Sequence, residues 1–216
     1  MSDTISLGSI GNEKRTERRD AAENRALILE TAESLFNQHG VTNVNMADIA
    51  QAAGVGKGTL YRRFANKAEL CLALMDTQML DFQNAILGRM RQMAANGVSA
   101  VEQLDQFLDA LVYFTDTHSP LLCEVQREGL LGDFAEEHQR PHFWQHMTVS
   151  GLLQTAVTNG ELPSTLDIAY TSDALLAPLH ANIFRFQRQG RGFSLERISA
   201  GLRALVHALQ HLEEEA

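Results

Sequence analysis

Apolar positions along this chain recur at three- and four-residue spacing, and no strand-like alternation persists. The pattern predicts helices throughout, hence an all-α protein. The first strong stripe is Ile28, Ala32, Leu35 and Phe36, inside a helix from Arg19 to His39 that Gly40 ends. Two short helices follow, Met46 to Ala53 and Lys57 to Phe64, joined by the turn Gly54-Val55-Gly56. Ile49, Ala50, Ala53, Val55, Leu60 and Phe64 supply the apolar contacts such a pair needs. Asn45 is placed to cap the first of them, with Asp48 three residues on in a weaker version of the capping box. A long helix runs from Lys67 to about Ala95, with Leu70, Leu74, Phe82, Ile86, Met90 and Met93 on its buried side.

Beyond Asn96-Gly97 the pattern predicts a helix over Val101 to His118, and Pro120 restarts the chain into a short helix from Leu121 to Leu130. Phe134 to about Asn159 reads as helical, with Pro141 interrupting or starting it. Leu166 to Gln189 reads as one long helix bent at Pro178. Ser194 caps the final helix, striped by Ile198, Leu202, Leu205, Val206, Leu209 and Leu212. Met1 to about Thr16 has no period and is expected to be a mobile arm. The expected organisation is an arm over 1–19, a helix-turn-helix domain over 20–68, and a larger helical domain over 69–216.

Composition fits this frame. At 44% hydrophobic and 21% charged, the chain can bury a core. The net charge of −9 argues against a surface that binds nucleic acid everywhere. Its distribution is more telling: residues 1–70 hold nine Lys/Arg and nine Asp/Glu, so the whole excess falls in 71–216. Between Val41 and Lys67 stand Lys57, Arg62, Arg63 and Lys67 against Asp48 alone. A basic head on an acidic body is the expectation. Two cysteines without a CxxC, a polar N-terminus and no apolar run of membrane length suit a cytoplasmic protein.

Two short helices at a tight turn make a helix-turn-helix, whose second helix enters the major groove. On that helix Leu60 and Phe64 point inward, leaving Gly58, Thr59, Arg62 and Tyr61 to face outward. Gly58 permits close approach to DNA, Thr59 offers a hydroxyl or a methyl, and Arg62 reaches phosphate or guanine. Lys67 at the next helix start, with free backbone N–H groups, makes a natural phosphate clamp. Lys14, Arg15, Arg18 and Arg19 either reach an adjacent groove or form a solubilising tail.

Ile49-Ala50, Ala53-Gly54-Val55 and Thr59-Leu60-Tyr61-x-x-Phe64-x-x-Lys67 resemble the tetracycline-repressor (TetR) family of bacterial regulators over roughly residues 20–75. The resemblance implies that Tyr61 and Lys67 contact phosphates and that the helix carrying Lys57, Gly58, Thr59 and Arg62 reads bases. It also implies that Asn45 touches phosphate. Ala47 stands where some members carry a base-contacting arginine. The family further implies a homodimer, a double-stranded operator with two-fold pseudo-symmetry, and a small-molecule effector that relieves repression. Phe82, Ile86, Phe107, Leu111, Phe114, Phe143, Trp144, Met147 and Phe184 are the candidate lining of its pocket, or simply core.

Small residues Ala200, Gly201, Ala204 and Ala208 beside the leucines make the last two helices the expected dimer surface; packing within one subunit is the alternative. His138, His142 and His146 share one spacing, yet Pro141 is more at home in a first helical turn, so no metal is expected. Cys71 and Cys123 read as inert thiols, and no cofactor is called for. No nucleophile elbow, phosphate loop or HExxH supports an enzyme. The rival readings are a helical adaptor whose body binds a protein, and a helical enzyme with a vestigial head.

Overall fold

The computed structural model describes residues 8–128 and 141–211, and these are helical without a strand. The chain divides into two compact units, 1–74 and 75–216, with the division inside one helix, after Leu74.

The N-terminal unit holds α1 (Gly8–His39), α2 (Met46–Ala52), α3 (Lys57–Arg63) and the first part of α4 (Lys67–Ala95). The first helix begins well before the expected Arg19, so part of the stretch read as an arm is helical. Residues 1–7 lie outside the described residues. One short 3-10 turn, Val41–Asn43, was not foreseen. Ile28, Ala32, Ile49, Leu60 and Leu70 are completely buried and form the centre of this unit, with Val44 and Phe64 almost so. Arg25 of α1 lies over the Phe64 ring, 5.5 Å from its centroid.

The C-terminal unit holds the rest of α4, then α5 (Ala100–Arg127), α6 (Pro141–Thr158), α7 (Ile168–Leu176), α8 (Ala181–Arg185) and α9 (Leu195–Leu209). α5 is its axis, packing against α6, α8 and α9. Phe107, Leu104, Leu108, Leu111, Val112, Leu153, Phe184 and Val206 are buried at the centre.

Two expectations are corrected here. Pro120 does not restart the chain: α5 runs through it as one helix. The proline removes one ladder bond, but Val112 and Thr115 before it and Leu121 and Val125 after it are all buried. Burial on both flanks outweighs a defect of roughly 3 kcal/mol. Conversely, the single helix expected over Leu166 to Gln189 is broken. α7 ends at Leu176, a 3-10 turn spans Ala177–Leu179 around Pro178, and α8 gives way to a π-helical turn at Phe186–Gly190. The Gln187 side chain donates to the Pro178 carbonyl (3.0 Å), which satisfies an acceptor the break leaves open.

Candidate nucleic-acid interface

α2 is closed at both ends by its neighbours in sequence. Asn45 Oδ1 accepts from the N–H groups of Ala47 and Asp48 (2.8 and 3.1 Å), and Asp48 Oδ2 accepts from Asn45 N–H (2.9 Å), a complete capping box. At the other end Gly54 adopts φ 66°, Gly54 N–H donates to Gln51 O, and Val55 N–H to Ala50 O (3.2 and 3.0 Å). This is a Schellman close, and it requires the left-handed region that glycine enters without strain. A chain so turned starts α3 three residues later, and Thr59 and Leu60 N–H both donate to Gly56 O.

α3 buries Leu60 completely and exposes Lys57, Gly58, Tyr61 and Arg62, with Thr59 half-buried. Tyr61 is half exposed, at 50%. Nothing lies within 4 Å of where a Gly58 Cβ would be, so Gly58 leaves open space on the outer face of α3. Asn45, Lys57, Gly58, Thr59, Tyr61 and Arg62 thus lie on α3 or at the start of α2, in one unit. Arg63, to which no role had been given, is half-buried and its Nε has no hydrogen-bond partner among the described residues.

Lys67 has an additional task. Its ammonium donates to the carbonyls of Val41 and Val44 (2.8 and 3.2 Å), pinning the segment that leads into α2. The start of α4 is not left open either: Asn66 Oδ1 accepts from Glu69 N–H (2.8 Å), and Glu69 Oε2 from Ala65 N–H (2.6 Å). The backbone donors expected to be free there are partly taken up by this local cap.

In the C-terminal unit the candidate lining residues mostly converge. Phe82 packs on Phe114 with centroids 4.4 Å apart, and Trp144 stands edge-on to Phe82 and Phe107 at 6.1 and 5.6 Å. Ile86, Leu111 and Phe184 belong to the same core, and Phe143 is half-buried. Met147 does not join them: it is 55% exposed. It lies two residues from both Gln145 and Val149, which are buried, so a helical repeat turns it to the opposite face of α6. Sequence reasoning missed His118, which stacks on Phe114 at 4.1 Å and donates from Nδ1 to the Phe114 carbonyl (2.7 Å). Its spacing of four from Phe114 was the available signal.

Of the histidine stripe, His138 lies outside the described residues. His146 is turned to Asp173 (Nε2–Oδ1 3.2 Å) and to Ser150. Among the described residues no cluster of three metal-ligating side chains occurs. Cys71 is buried and Cys123 half-buried, and both are reduced. No helix among them is long and apolar enough to cross a membrane.

Residues 28–74 match the family model described as bacterial regulatory proteins, tetR family. An HTH-type transcriptional regulator of Staphylococcus aureus is 30% identical over 182 residues, covering 83% of this chain and 90% of that protein. The chain belongs to the TetR family of bacterial transcriptional regulators. A second staphylococcal regulator of this kind is 28% identical over 179 residues. Two solved structures show that the TetR fold extends through both units. One is the FadR repressor of Thermus thermophilus in complex with lauroyl-CoA, at TM-score 0.64 and 20% identity, covering 89% of this chain and 97% of that one. The other is a transcriptional regulator of Saccharomonospora viridis in complex with choline, at TM-score 0.67 and 18% identity, covering 86% and 96%.

Proposed function

We infer that this TetR-family regulator is a homodimeric repressor that reads a pseudo-palindromic operator with α3 and leaves it when a small hydrophobic or aromatic effector binds the C-terminal unit. The observation that carries the reading is α3 itself. It is anchored by fully buried Leu60, started by a glycine-closed α2, and polar and basic on its exposed face at Lys57, Thr59, Tyr61 and Arg62. A helix of seven residues contacts few bases, so selectivity requires two copies at a set spacing.

Arg62 and Thr59 read base edges, Lys57 and Tyr61 meet phosphate, and Asn45 presents the capped start of α2 to the backbone. Lys67 supports the segment before α2 and adds charge. The dimer forms through the chain from α7 onward and through the small-residue face of α9. Phe82, Phe107, Phe114 and Trp144 are the aromatic centre near which an effector is held; relatives of the same fold solved with lauroyl-CoA and choline are in keeping with a ligand-responsive body. Release requires that the effector bind the DNA-incompetent geometry more tightly than the competent one. The protein acts in the cytoplasm.

Selection of bound fragments from genomic DNA, followed by footprinting at defined salt, tests the reading. A protected site with two-fold pseudo-symmetry supports it. Binding that selects no sequence at any salt would overturn it.

A further inference from the structure

The C-terminal unit is acidic, yet five of the nine arginines in residues 71–216 lie between Arg185 and Arg203, a stretch with one acid, Glu196. Arg188 is occupied: it is paired with Asp116 (2.8 Å) and also donates to the Phe193 carbonyl (2.6 Å). Arg191 and Arg197 are held differently. Arg191 lies over both Phe186 and Phe193, at 5.5 and 5.9 Å from their centroids, and Arg197 lies over Phe193 at 3.9 Å. Neither makes an ion pair among the described residues, and both are exposed.

The π-helical turn creates this arrangement. Arg191 N–H donates to Phe186 O (2.9 Å), and the Phe186 ring lies where a Gly190 Cβ would be, 2.6 Å from its ideal position. Only glycine at that position lets the ring lie there. Two like charges are thereby gathered around Phe193, with their guanidinium edges available to carboxylates.

The same chain carries a matching charge. Glu213-Glu214-Glu215 follows α9, a short way past its last helical residue, Leu209. The exposed positions Arg197, Gly201, Ala204, Ala208 and His211 succeed one another at alternating steps of four and three, so they share one face of α9 and its C-terminal extension. This face is symmetric about Ala204: Arg197 is as far before it as His211 is after it. Two copies of such a face paired antiparallel about a dyad at Ala204 bring Arg197 of one opposite the end of α9 of the other. The acidic run follows that end of α9 in sequence, and Phe193 and Arg191 precede Arg197. Within one chain it would have to double back along nearly all of α9, a helix of 15 residues and about 22 Å.

We propose that Glu213–Glu215 of one copy clasps the Arg191/Arg197 cluster of a second copy, so that two symmetric ion-pair clusters lock the dimer and set its register. The proposal rests on the dimer reading above. The occupant is the acidic segment because its charge, its distance from α9 and the symmetry of the exposed face all fit.

The test measures self-association by sedimentation equilibrium at low and high salt. E213Q/E214Q/E215Q, which alters no described residue, is expected to raise the dimer Kd roughly tenfold at low salt and hardly at all at high salt. R191E/R197E and E213K/E214K/E215K chains are each expected to dimerise poorly alone. Mixed, they should form heterodimer well above the statistical share, because both clasps are then complementary only between different chains. A statistical mixture, or a Gln variant with unchanged Kd and salt dependence, would overturn the clasp while leaving the dimer standing. A wild type that stays monomeric throughout would overturn the dimer reading and the clasp with it.

Discussion

In the N-terminal unit, the ends of α2 are closed by residues in it or within three positions of it, Asn45 and Asp48 at one end and Gly54 and Val55 at the other, and a longer tie from Lys67 holds the segment before it. In the C-terminal unit the ties join residues far apart in sequence. Glu161 accepts from Ala100 and Val101 N–H (3.0 and 2.9 Å), closing the start of α5 from the loop after α6. Ser199 of α9 donates to Asp109 of α5, and His207 of α9 to Asp105 of α5 (2.7 Å). The contrast suits the two roles. A reading head must hold one geometry whatever the body does, and local caps do that. A responsive body needs contacts that rearrangement of its helices can exchange.

The largest expected effect is a break in the head's interior. Leu60→Ala removes a fully buried side chain between α2 and α3, and a loss of about 2–5 kcal/mol is expected. Calorimetry should show one transition shifted down and, if the units unfold separately, a second near its old position. DNA binding should vanish at temperatures where the body remains folded.

Glu161→Gln attacks a long-range tie. Burial alone would push this carboxyl up, but the hydrogen bonds from Val101, Ala100 and Asn159 outweigh it and hold it below the ordinary carboxylate range. Its contribution is therefore present above the unfolded-state value and is lost as pH falls through the folded one. The variant should cost about 1–3 kcal/mol near neutrality and much less in acid, read by denaturant unfolding at several pH values.

Lys67→Ala combines loss of DNA affinity on all sequences with a loss of about 1–3 kcal/mol in the head, because Val41 and Val44 carbonyls lose their donor. Lower affinity with unchanged stability would reassign Lys67 to DNA alone. Arg62→Ala, by contrast, should leave stability within about 0.5 kcal/mol and cost roughly 1–3 kcal/mol of binding, unequally across operator variants. Equal loss on every variant would move Arg62 to phosphate.

The smallest effect is a pH dependence. Gln210 and Asp105 accept from the two ring nitrogens of His207, and both raise its pKa above the ordinary histidine value. A raised value means that the tie is fully present below the unfolded-state pKa and is lost as pH rises through the folded one. Stability of the body should decline slightly from mildly acidic to mildly alkaline pH, and His207→Ala should flatten that slope.

The sequence alone determined the head. Its signals are local: Asn45 with Asp48, Gly54 at a turn, Leu60 and Phe64 four apart. Each acts on backbone groups a few residues away, so reading order along the chain is reading order in space. It also foretold that Phe82, Phe107, Phe114 and Trp144 would converge, because apolar faces of amphipathic helices have one place to go. Only the tertiary structure decided that Pro120 sits inside a helix while Pro178 marks a break. Proline's defect is the same at both sites and apolar side chains are buried on both flanks of each, so the local sequence does not tell the two apart. It alone decided that Met147 faces out, that Lys67 is held by carbonyls, and that Arg191 and Arg197 gather on Phe193. Such placements depend on partners distant in sequence or on a turn of unusual pitch, and neither leaves a periodic mark on the chain.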